Sequence, residues 1–471
     1  MLKTRNMNRM TLRLAYLFFD MLAAVIAWLF FVYFRQVINN VGLFEGIHIL
    51  VPKYDYTKSF VLFPFCCLFV HYLSGVYLYP ERHYQVRLFI TTFVACAIIA
   101  VAIFFALLLD DIVVSYEYYY YSLLALFLIL FVFTYTFRVI ICFGVRRNYK
   151  TKRWTTRTAI IGTGKNAKKI AYELEKKLKE NTFVGYISED NKNLQQEEVI
   201  GRISQIEPVI KKENIQEIII ALDDSDEQRL FSIISSLYKY NISIRFTPGL
   251  YEILIGSVKM TELGMSPLVS ITNPTMKDWQ ACVKRLFDIV ASFLSLVILS
   301  PLFLFFAIRI KADSKGSVFF KQERIGQFGR PFDIVKFRTM YTNAENLGPQ
   351  LSSPHDSRVT PFGRFLRKYR FDELPQFWNI LKGEMSIVGP RPERDFYIKK
   401  ITEVAPYYCL IYKIRPGLTS WGPIRIGYSD TLEKMVERLN YDVIYMEDMS
   451  LKTDLKILLY TVDVIFRGKG V

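Results

Sequence analysis

The sequence has 471 residues, of which 52% are apolar, and its formal net charge at pH 7 is +16. This length excludes a single compact domain, and the apolar content indicates membrane segments, so we expect two to four units. Because apolar runs are present, the basic charge favours attraction to anionic lipid over nucleic-acid binding. The six cysteines and four histidines show no metal-ligand spacing, which argues against a zinc site.

Four apolar segments fill the first third of the chain: residues 12–34, 59–79, 88–109 and 118–143. Basic residues precede the first, separate the second from the third and follow the fourth, while the last connecting loop is acidic. By the positive-inside rule, this predicts a four-helix transmembrane block over residues 1–150 with both ends in the cytoplasm. Within it we find little polarity beyond Asp20 and His71, so anchoring or dimer contact is favoured over transport.

Residues 151–260 alternate between strand and helix patterns, which predicts a Rossmann-like α/β domain. A linker is expected at 261–280. Gly162 and Gly164 form a GxG turn after the first strand, a position that suits a phosphate at a helix N-terminus. Many sheets enter a helix through such a turn without binding a ligand, so a nucleotide site and a plain scaffold both stay open.

The fifth apolar run, SFLSLVILSPLFLFFAIRIK at 292–311, has a proline in its middle and basic residues near both ends. Pro301 has no N–H for the carbonyl of Val297, so the helix must kink or break there. A kinked crossing would export the basic C-terminal region, whereas a segment that turns back keeps both flanks cytosolic. We therefore predict a re-entrant helix at 285–311, with the Ser300 hydroxyl satisfying a carbonyl freed by the break.

The sequence FDELPQFWNIL places Asp372 and Glu373 side by side before a helical pattern. Asp is a favoured helix N-cap, which is one interpretation. The other is a carboxylate nucleophile for phosphoryl transfer, which needs cations around the phosphates. Candidate phosphate ligands lie in motifs rich in Pro and Gly, and composition leaves open whether they face only solvent: Lys336, Arg338, Arg367, Arg391 and Arg415.

Four stretches together resemble the bacterial sugar transferase family: SPLFLFFAIRIKADSKGSVFFKQERIG, KFRTM, LRKYRFDELPQFWNILKGEMSIVGPRPE and RPGLTSWGP. These are the polyprenyl-phosphate hexose-1-phosphate transferases of the monotopic phosphoglycosyl transferase superfamily. The match runs from about 281 to 471, and the preceding regions resemble the long-form members. The resemblance implies a membrane protein with a four-helix transmembrane block, a Rossmann-like α/β domain, and an α+β catalytic domain at 281–471 with a re-entrant membrane helix.

The resemblance also implies a reaction. The family moves a hexose-1-phosphate from a UDP-sugar to undecaprenyl phosphate and releases UMP, which starts capsule, exopolysaccharide or O-antigen repeat units. Asp372 would be the nucleophile that forms a covalent phosphosugar intermediate, assisted by Glu373, with Mg2+ bound near the dyad through Asp372. Basic active-site positions are implied for Lys336, Arg367 and Arg391, and by a less close match for Arg415. Ser300 and Pro301 match the family's helix break.

The implied location is the bacterial inner membrane, with the α/β and catalytic domains on the cytoplasmic side. Ser420 and Pro423 stand where many relatives have glycine and glutamine, which leaves the sugar preference open. A homodimer is a plausible assembly. Two alternative functions are a glycosyltransferase that releases UDP and a non-catalytic membrane regulator that senses nucleotide through the α/β domain. The intact dyad argues against both.

Overall fold

The computed structural model describes residues 2–38, 54–80, 85–110, 116–150, 155–177, 181–188, 198–223, 227–238, 240, 242–247, 268–270, 276–342, 344, 356–427 and 431–466. The chain divides into two compact units, Met1–Thr155 with Asp278–Val283, and Thr156–Lys277 with Lys284–Val471. Much of the linker predicted at 261–280 lies outside the described residues.

Four long helices make up most of the first unit: α1 (Leu2–Ile38), α2 (Tyr54–Leu73), α3 (Gln85–Asp110) and α4 (Tyr116–Lys150). Three stretches are long and apolar enough to cross a membrane: Met10–Arg35, Gln85–Ala106 and Tyr120–Asn148. The apolar part of α2 among the described residues, Phe60–Leu73, is shorter than such a span. All four predicted segments are therefore helical, and three qualify as membrane spans by length and composition.

Small side chains are buried where the helices of the first unit meet. They include Ala24 and Ala27 of α1, Cys67 of α2, and Cys96 and Ala100 of α3. Small residues let helix backbones approach closely, so van der Waals contact between helices can hold a unit together in lipid.

A buried ion pair joins α1 to α4. Arg138 donates from Nε and Nη2 to the two carboxylate oxygens of Asp20 at 2.9 and 2.7 Å, and both side chains are fully buried. Arg138 also donates to Thr92 of α3, and Tyr77, in the turn after α2, donates to Asp20. Sequence analysis missed Arg138, which neutralises the aspartate and thereby makes the pair tolerable inside an apolar unit.

The second unit begins with an α/β domain whose main elements are β1 (Thr156–Ile161), α5 (Lys165–Lys177), β2 (Asn181–Ser188), β3 (Val199–Arg202), α6 (Ile206–Glu213), β4 (Glu217–Ile220), α7 (Glu227–Leu237), β5 (Ser243–Phe246) and β6 (Val269–Ser270). The sheet order is β3-β2-β1-β4-β5-β6. Its first five strands pair in parallel, and β6 is antiparallel. This is the strand order of a doubly wound nucleotide-binding fold, so the predicted α/β class is confirmed. Sequence analysis did not identify the short elements β3, α6 and β6.

Two helices follow, α8 (Asp278–Ile298) and α9 (Ser300–Asp313), which are bent by 60° relative to each other. The Ser300 hydroxyl donates to the carbonyl oxygen of Val297 at 2.8 Å. Pro301, which has no N–H, cannot donate a hydrogen bond to that carbonyl. The predicted helix break and its compensation are therefore confirmed.

The remaining main elements are β7 (Phe319–Ile325), β8 (Pro331–Phe337), α10 (Pro361–Lys368), α11 (Phe377–Lys382), β9 (Ser386–Val388), α12 (Asp395–Val404), β10 (Gly417–Thr419), α13 (Trp421–Ile426), α14 (Leu432–Glu447) and α15 (Leu451–Phe466). β7 and β8 form an antiparallel hairpin, and β9 and β10 a short parallel pair. A 3₁₀ helix, Pro406–Lys413, packs against α7 of the α/β domain, with Cys409 buried in that domain's core.

The basic residues near the start of α8 bind protein groups. Lys284 donates to the carbonyl of Val388 at 2.9 Å and to Asp454 at 2.6 Å. Arg285 donates to the carbonyl of Ile380 at 2.8 Å. These bonds fix α8 against β9, α11 and α15, so the bent helix pair and the dyad region belong to one structure.

Candidate active site

Asp372 and Glu373 lie in a 3₁₀ helix, Phe371–Gln376, that packs against β8. Neither this helix nor α11 after it receives a side-chain cap hydrogen bond, so Asp372 does not act as the N-cap that its position allowed. Arg370, just before the dyad, adopts a left-handed conformation with φ of 56°. Such strain in a non-glycine residue is typical of functional sites.

Three cations surround the Glu373 carboxylate. Lys336 Nζ and Arg391 Nη2 lie 3.0 and 3.1 Å from Oε1, and Arg370 Nη1 lies 3.7 Å from Oε2. Burial opposes ionisation of Glu373, but the positive charges of Lys336, Arg391 and Arg370 outweigh it and hold the pKa well below its usual range. Glu373 is therefore ionised, and its carboxylate holds Lys336, Arg391 and Arg370 around it.

Asp372 stands in contrast to its neighbour. It is partly buried, and among the residues that the structure describes none makes a hydrogen bond or ion pair with its carboxylate. Burial and the adjacent charge of Glu373 raise its pKa, against the opposing charges of Lys336 and Arg367. A carboxylate to which no donor is bound keeps its lone pairs open to a substrate, as a nucleophile requires.

The structure brings Lys336, Arg367 and Arg391 together around the dyad. Lys336 extends from β8 and Arg391 from the loop after β9, and both contact Glu373. Arg367, at the end of α10, donates to Thr339 at 2.9 Å and lies within electrostatic reach of Asp372. Such a set of cations can bind the phosphates of a nucleotide.

Two other predicted phosphate ligands contact backbone groups. Arg338 donates to the carbonyls of Ser314 and Ile310 at 2.7 and 3.4 Å, at the C-terminal end of α9. Arg415 donates to the carbonyl of Gly383 at 3.1 Å. The helix-end position of Arg338 neutralises a partial negative charge, which is a structural use of a cation.

Comparison with known proteins identifies the chain. The family model described as bacterial sugar transferase matches residues 279–468, and one described as CoA-binding domain matches residues 72–248. A "UDP-glucose:undecaprenyl-phosphate glucose-1-phosphate transferase" of Caulobacter vibrioides is 42% identical over 187 residues, which cover 38% of this chain and 68% of that protein. This chain belongs to the bacterial sugar transferase family.

Longer matches come from relatives that this chain covers less completely. The Klebsiella pneumoniae protein of the same name is 36% identical over 270 residues, 57% of each chain. An Aeromonas hydrophila relative is 37% identical over 219 residues, 46% of this chain and 51% of its own, and is named "UDP-N-acetylgalactosamine-undecaprenyl-phosphate N-acetylgalactosaminephosphotransferase". The chain thus spans little more than half the length of these two relatives.

The glycine turn of the α/β domain already holds a carboxylate of the protein itself. The Asp223 carboxylate accepts hydrogen bonds from the backbone N–H groups of Lys165 and Asn166 at 3.1 and 3.0 Å, at the N-terminus of α5. A Cβ at Gly164 would collide with this carboxylate, and Gly162 has φ of +116°, where a Cβ would collide with the carbonyl oxygen of Ala221. Both glycines are therefore explained by the domain's own packing.

Sequence analysis did not single out Arg370 as a site residue, yet the structure places it beside Glu373. Its position three residues before Glu373 was the available signal.

Within the described ranges, no group of three His, Cys, Asp or Glu side chains could hold a metal ion. The single carboxylate of Asp372 nevertheless fits Mg2+, because this ion binds through one or two protein carboxylates together with substrate phosphates and water.

Proposed function

We propose that this chain transfers a hexose-1-phosphate from a UDP-sugar to undecaprenyl phosphate and releases UMP. Relatives named for this type of transfer support the reaction. The observation that carries the proposal is the asymmetry of the dyad. Glu373 is bound by three cations, whereas the Asp372 carboxylate has no donor among the described residues and can act as the nucleophile.

In the first half-reaction, an oxygen of the Asp372 carboxylate attacks the phosphorus that bears the sugar. The bond from this phosphorus to the bridging oxygen breaks, and UMP leaves with the electron pair. The sugar phosphate remains on Asp372 as an acyl phosphate. Lys336, Arg367 and Arg391 bind the phosphate oxygens and offset the charge that builds up in the transition state.

In the second half-reaction, a phosphate oxygen of undecaprenyl phosphate attacks the same phosphorus. The bond to Asp372 breaks, its electrons return to the carboxylate, and the lipid-linked sugar diphosphate leaves. Neither step needs a proton from Glu373, which stays ionised among its cations and orients Lys336 and Arg391. The product would be the lipid acceptor on which capsule, exopolysaccharide or O-antigen repeat units are built.

Asp372 is the residue of this chain that would hold Mg2+, together with the diphosphate of the substrate, because Glu373 is already engaged by Lys336 and Arg391. When bound, the ion neutralises charge on the diphosphate. The relatives' names include both glucose and N-acetylgalactosamine, so the donor must be found with a panel of UDP-sugars.

We assign the chain to the bacterial cytoplasmic membrane, with the α/β and catalytic regions on the cytoplasmic side and α8–α9 as a re-entrant pair. The 60° bend at Ser300 supports this. The contacts at the two ends of the pair also support it. Lys284 of α8 is bonded to Asp454, and the end of α9 is bonded to Arg338, so both ends lie against the same catalytic region. A crossing would separate those ends by about 30 Å of hydrocarbon.

The test uses the full chain in nanodiscs with Mg2+, undecaprenyl phosphate and UDP-glucose, UDP-galactose and their N-acetyl derivatives. We expect UMP release with one of them, and no release from Asp372→Asn. Asp333→Asn, which removes an exposed carboxylate from β8, is the matched control and should behave as wild type.

Without the lipid acceptor, a radiolabelled UDP-sugar should label wild type and Asp333→Asn but not Asp372→Asn. Hydroxylamine, which cleaves acyl phosphates, should release the label. UDP as the released nucleotide, or full turnover by Asp372→Asn, would refute the covalent mechanism.

A further inference from the structure

The loop Gly389–Glu393, which carries Arg391 to Glu373, is held by a hydrogen bond at every residue. The N–H of Gly389 donates to Thr419 at 3.0 Å, and the carbonyl of Pro390 accepts from Gly417 at 2.8 Å. These two bonds tie the first half of the loop to β10.

The second half of the loop is tied to β7 and α14. The N–H of Arg391 donates to Asp442 at 3.3 Å, and the carbonyl of Pro392 accepts from Arg324 at 3.3 Å. The carbonyl of Glu393 accepts from Ile325 at 3.0 Å. Five consecutive residues are therefore bonded to three different elements.

The Glu393 side chain is the most constrained part of this loop. It is buried, and its carboxylate lies between two arginines: Oε2 accepts from Arg324 at 3.3 Å and Oε1 from Arg438. Arg438 and Asp442 are one turn apart on α14, so a single turn of helix binds Arg391 through Asp442 and Glu393 through Arg438. The stem of Arg438 is itself confined, because a Cβ at Gly422 would collide with it.

This arrangement repeats the pattern around Glu373, a buried glutamate among several cations, at a distance of two residues from Arg391. Arg324 and Arg438 make no hydrogen bond or ion pair with the dyad within the described residues, and Glu393 links both of them to the loop that carries Arg391. A misplacement of a phosphate-binding group by about 1 Å can cost on the order of a hundredfold in rate.

We propose that Glu393, which is bound by Arg324 and Arg438, is a positioning residue. It fixes the position of Arg391 next to Glu373 and thereby the position at which the nucleotide diphosphate binds. This rests on the proposed function, in which Arg391 binds phosphate oxygens. It adds a second, buried charge cluster whose role is geometric and whose members touch no substrate.

The key variant is Glu393→Asp, which keeps the charge between the two arginines and withdraws the carboxylate by one methylene. A glutamate that only balances charge would tolerate this change. A positioning glutamate would not, so we expect a ten- to hundredfold loss of UMP release and a weaker affinity for UDP. The matched control is Glu403→Asp on α12, which shortens an exposed glutamate and should leave both unchanged.

A double-mutant cycle with Arg391→Lys tests whether the effect passes through Arg391. In the Arg391→Lys background, Glu393→Asp should change UDP affinity and UMP release by less than twofold. The proposal would be overturned if the loss in the double variant equalled the product of the two single-variant losses. It would also be overturned if Glu393→Asp behaved as wild type. Gly422→Ala, which displaces the Arg438 stem without touching a carboxylate, should reproduce the Glu393→Asp loss and keeps the test valid if Glu393→Asp folds poorly.

UDP binding, measured by calorimetry, separates this proposal from the reaction itself. If wild type releases no UMP from any UDP-sugar but binds UDP, the proposed reaction is wrong, and the cycle in UDP affinity still decides the role of Glu393. A wild-type protein that does not bind UDP would overturn both.

Discussion

Neutralising Glu373 should lower the free energy of unfolding, whereas neutralising Asp372 should leave it unchanged or raise it. Glu373 lies 3.0 and 3.1 Å from two cations, and each such pair is worth about 5 kcal/mol of attraction at an effective dielectric constant of ~20. Desolvation offsets much of this, and removing one partner of a buried ionic cluster typically costs about 3–5 kcal/mol. Glu373→Gln should therefore lose about that much unfolding free energy.

Asp372→Asn should be at least as stable as wild type at neutral pH. The pKa of Asp372 is raised in the folded state, so its ionised form destabilises the fold, and removing that charge relieves the cost. The pKa of Glu373 is lowered, so its contribution is present above the ordinary glutamate pKa of about 4.3 and is lost as the pH falls through the folded value.

The assay is the midpoint of thermal unfolding in nanodiscs at pH 7 and at lower pH. Unfolding of the second unit carries about 2 cal/mol/K of entropy per residue, so about 3–5 kcal/mol corresponds to a drop of roughly 5–8 °C. Glu403→Gln and Asp333→Asn are the exposed controls for the two chemical changes. A Glu373→Gln midpoint within about 1 °C of Glu403→Gln, or an Asp372→Asn midpoint well below Asp333→Asn, would refute this account of the dyad.

Three further outcomes can be checked. Ser300→Ala combined with Pro301→Ala should straighten the bent helices. In a cysteine-free chain, a Ser314→Cys probe should then change its labelling by an impermeant maleimide. Unchanged labelling would contradict the re-entrant assignment. Arg338→Met should lower the unfolding midpoint without changing the KM for the UDP-sugar, since Arg338 binds the end of α9, and a raised KM would return it to the phosphate site. Asp223→Ala should cost roughly 1 kcal/mol in stability by removing a helix cap and leave UMP release unchanged, whereas a loss of release would indicate that the α/β domain takes part in the reaction.

The sequence by itself determined the features that depend on local pattern. Alternating strands and helices indicated the α/β class, and a proline inside an apolar run indicated the break that Ser300 compensates. Family motifs indicated the bacterial sugar transferase family and the Asp372–Glu373 pair. Each of these signals lies within a short stretch, where periodicity, proline chemistry or motif spacing can be read directly.

Only the tertiary structure decided which charges meet. Lys336 and Arg391 are 37 and 18 positions from Glu373, and sequence order cannot distinguish them from Arg338, whose guanidinium caps α9 instead. Arg138 lay unnoticed in an apolar run until the fold paired it with Asp20, 118 residues away. Long-range ion pairs depend on where folded elements bring side chains within a few ångströms, and the Coulomb energy that decides each role is set by that distance and by burial.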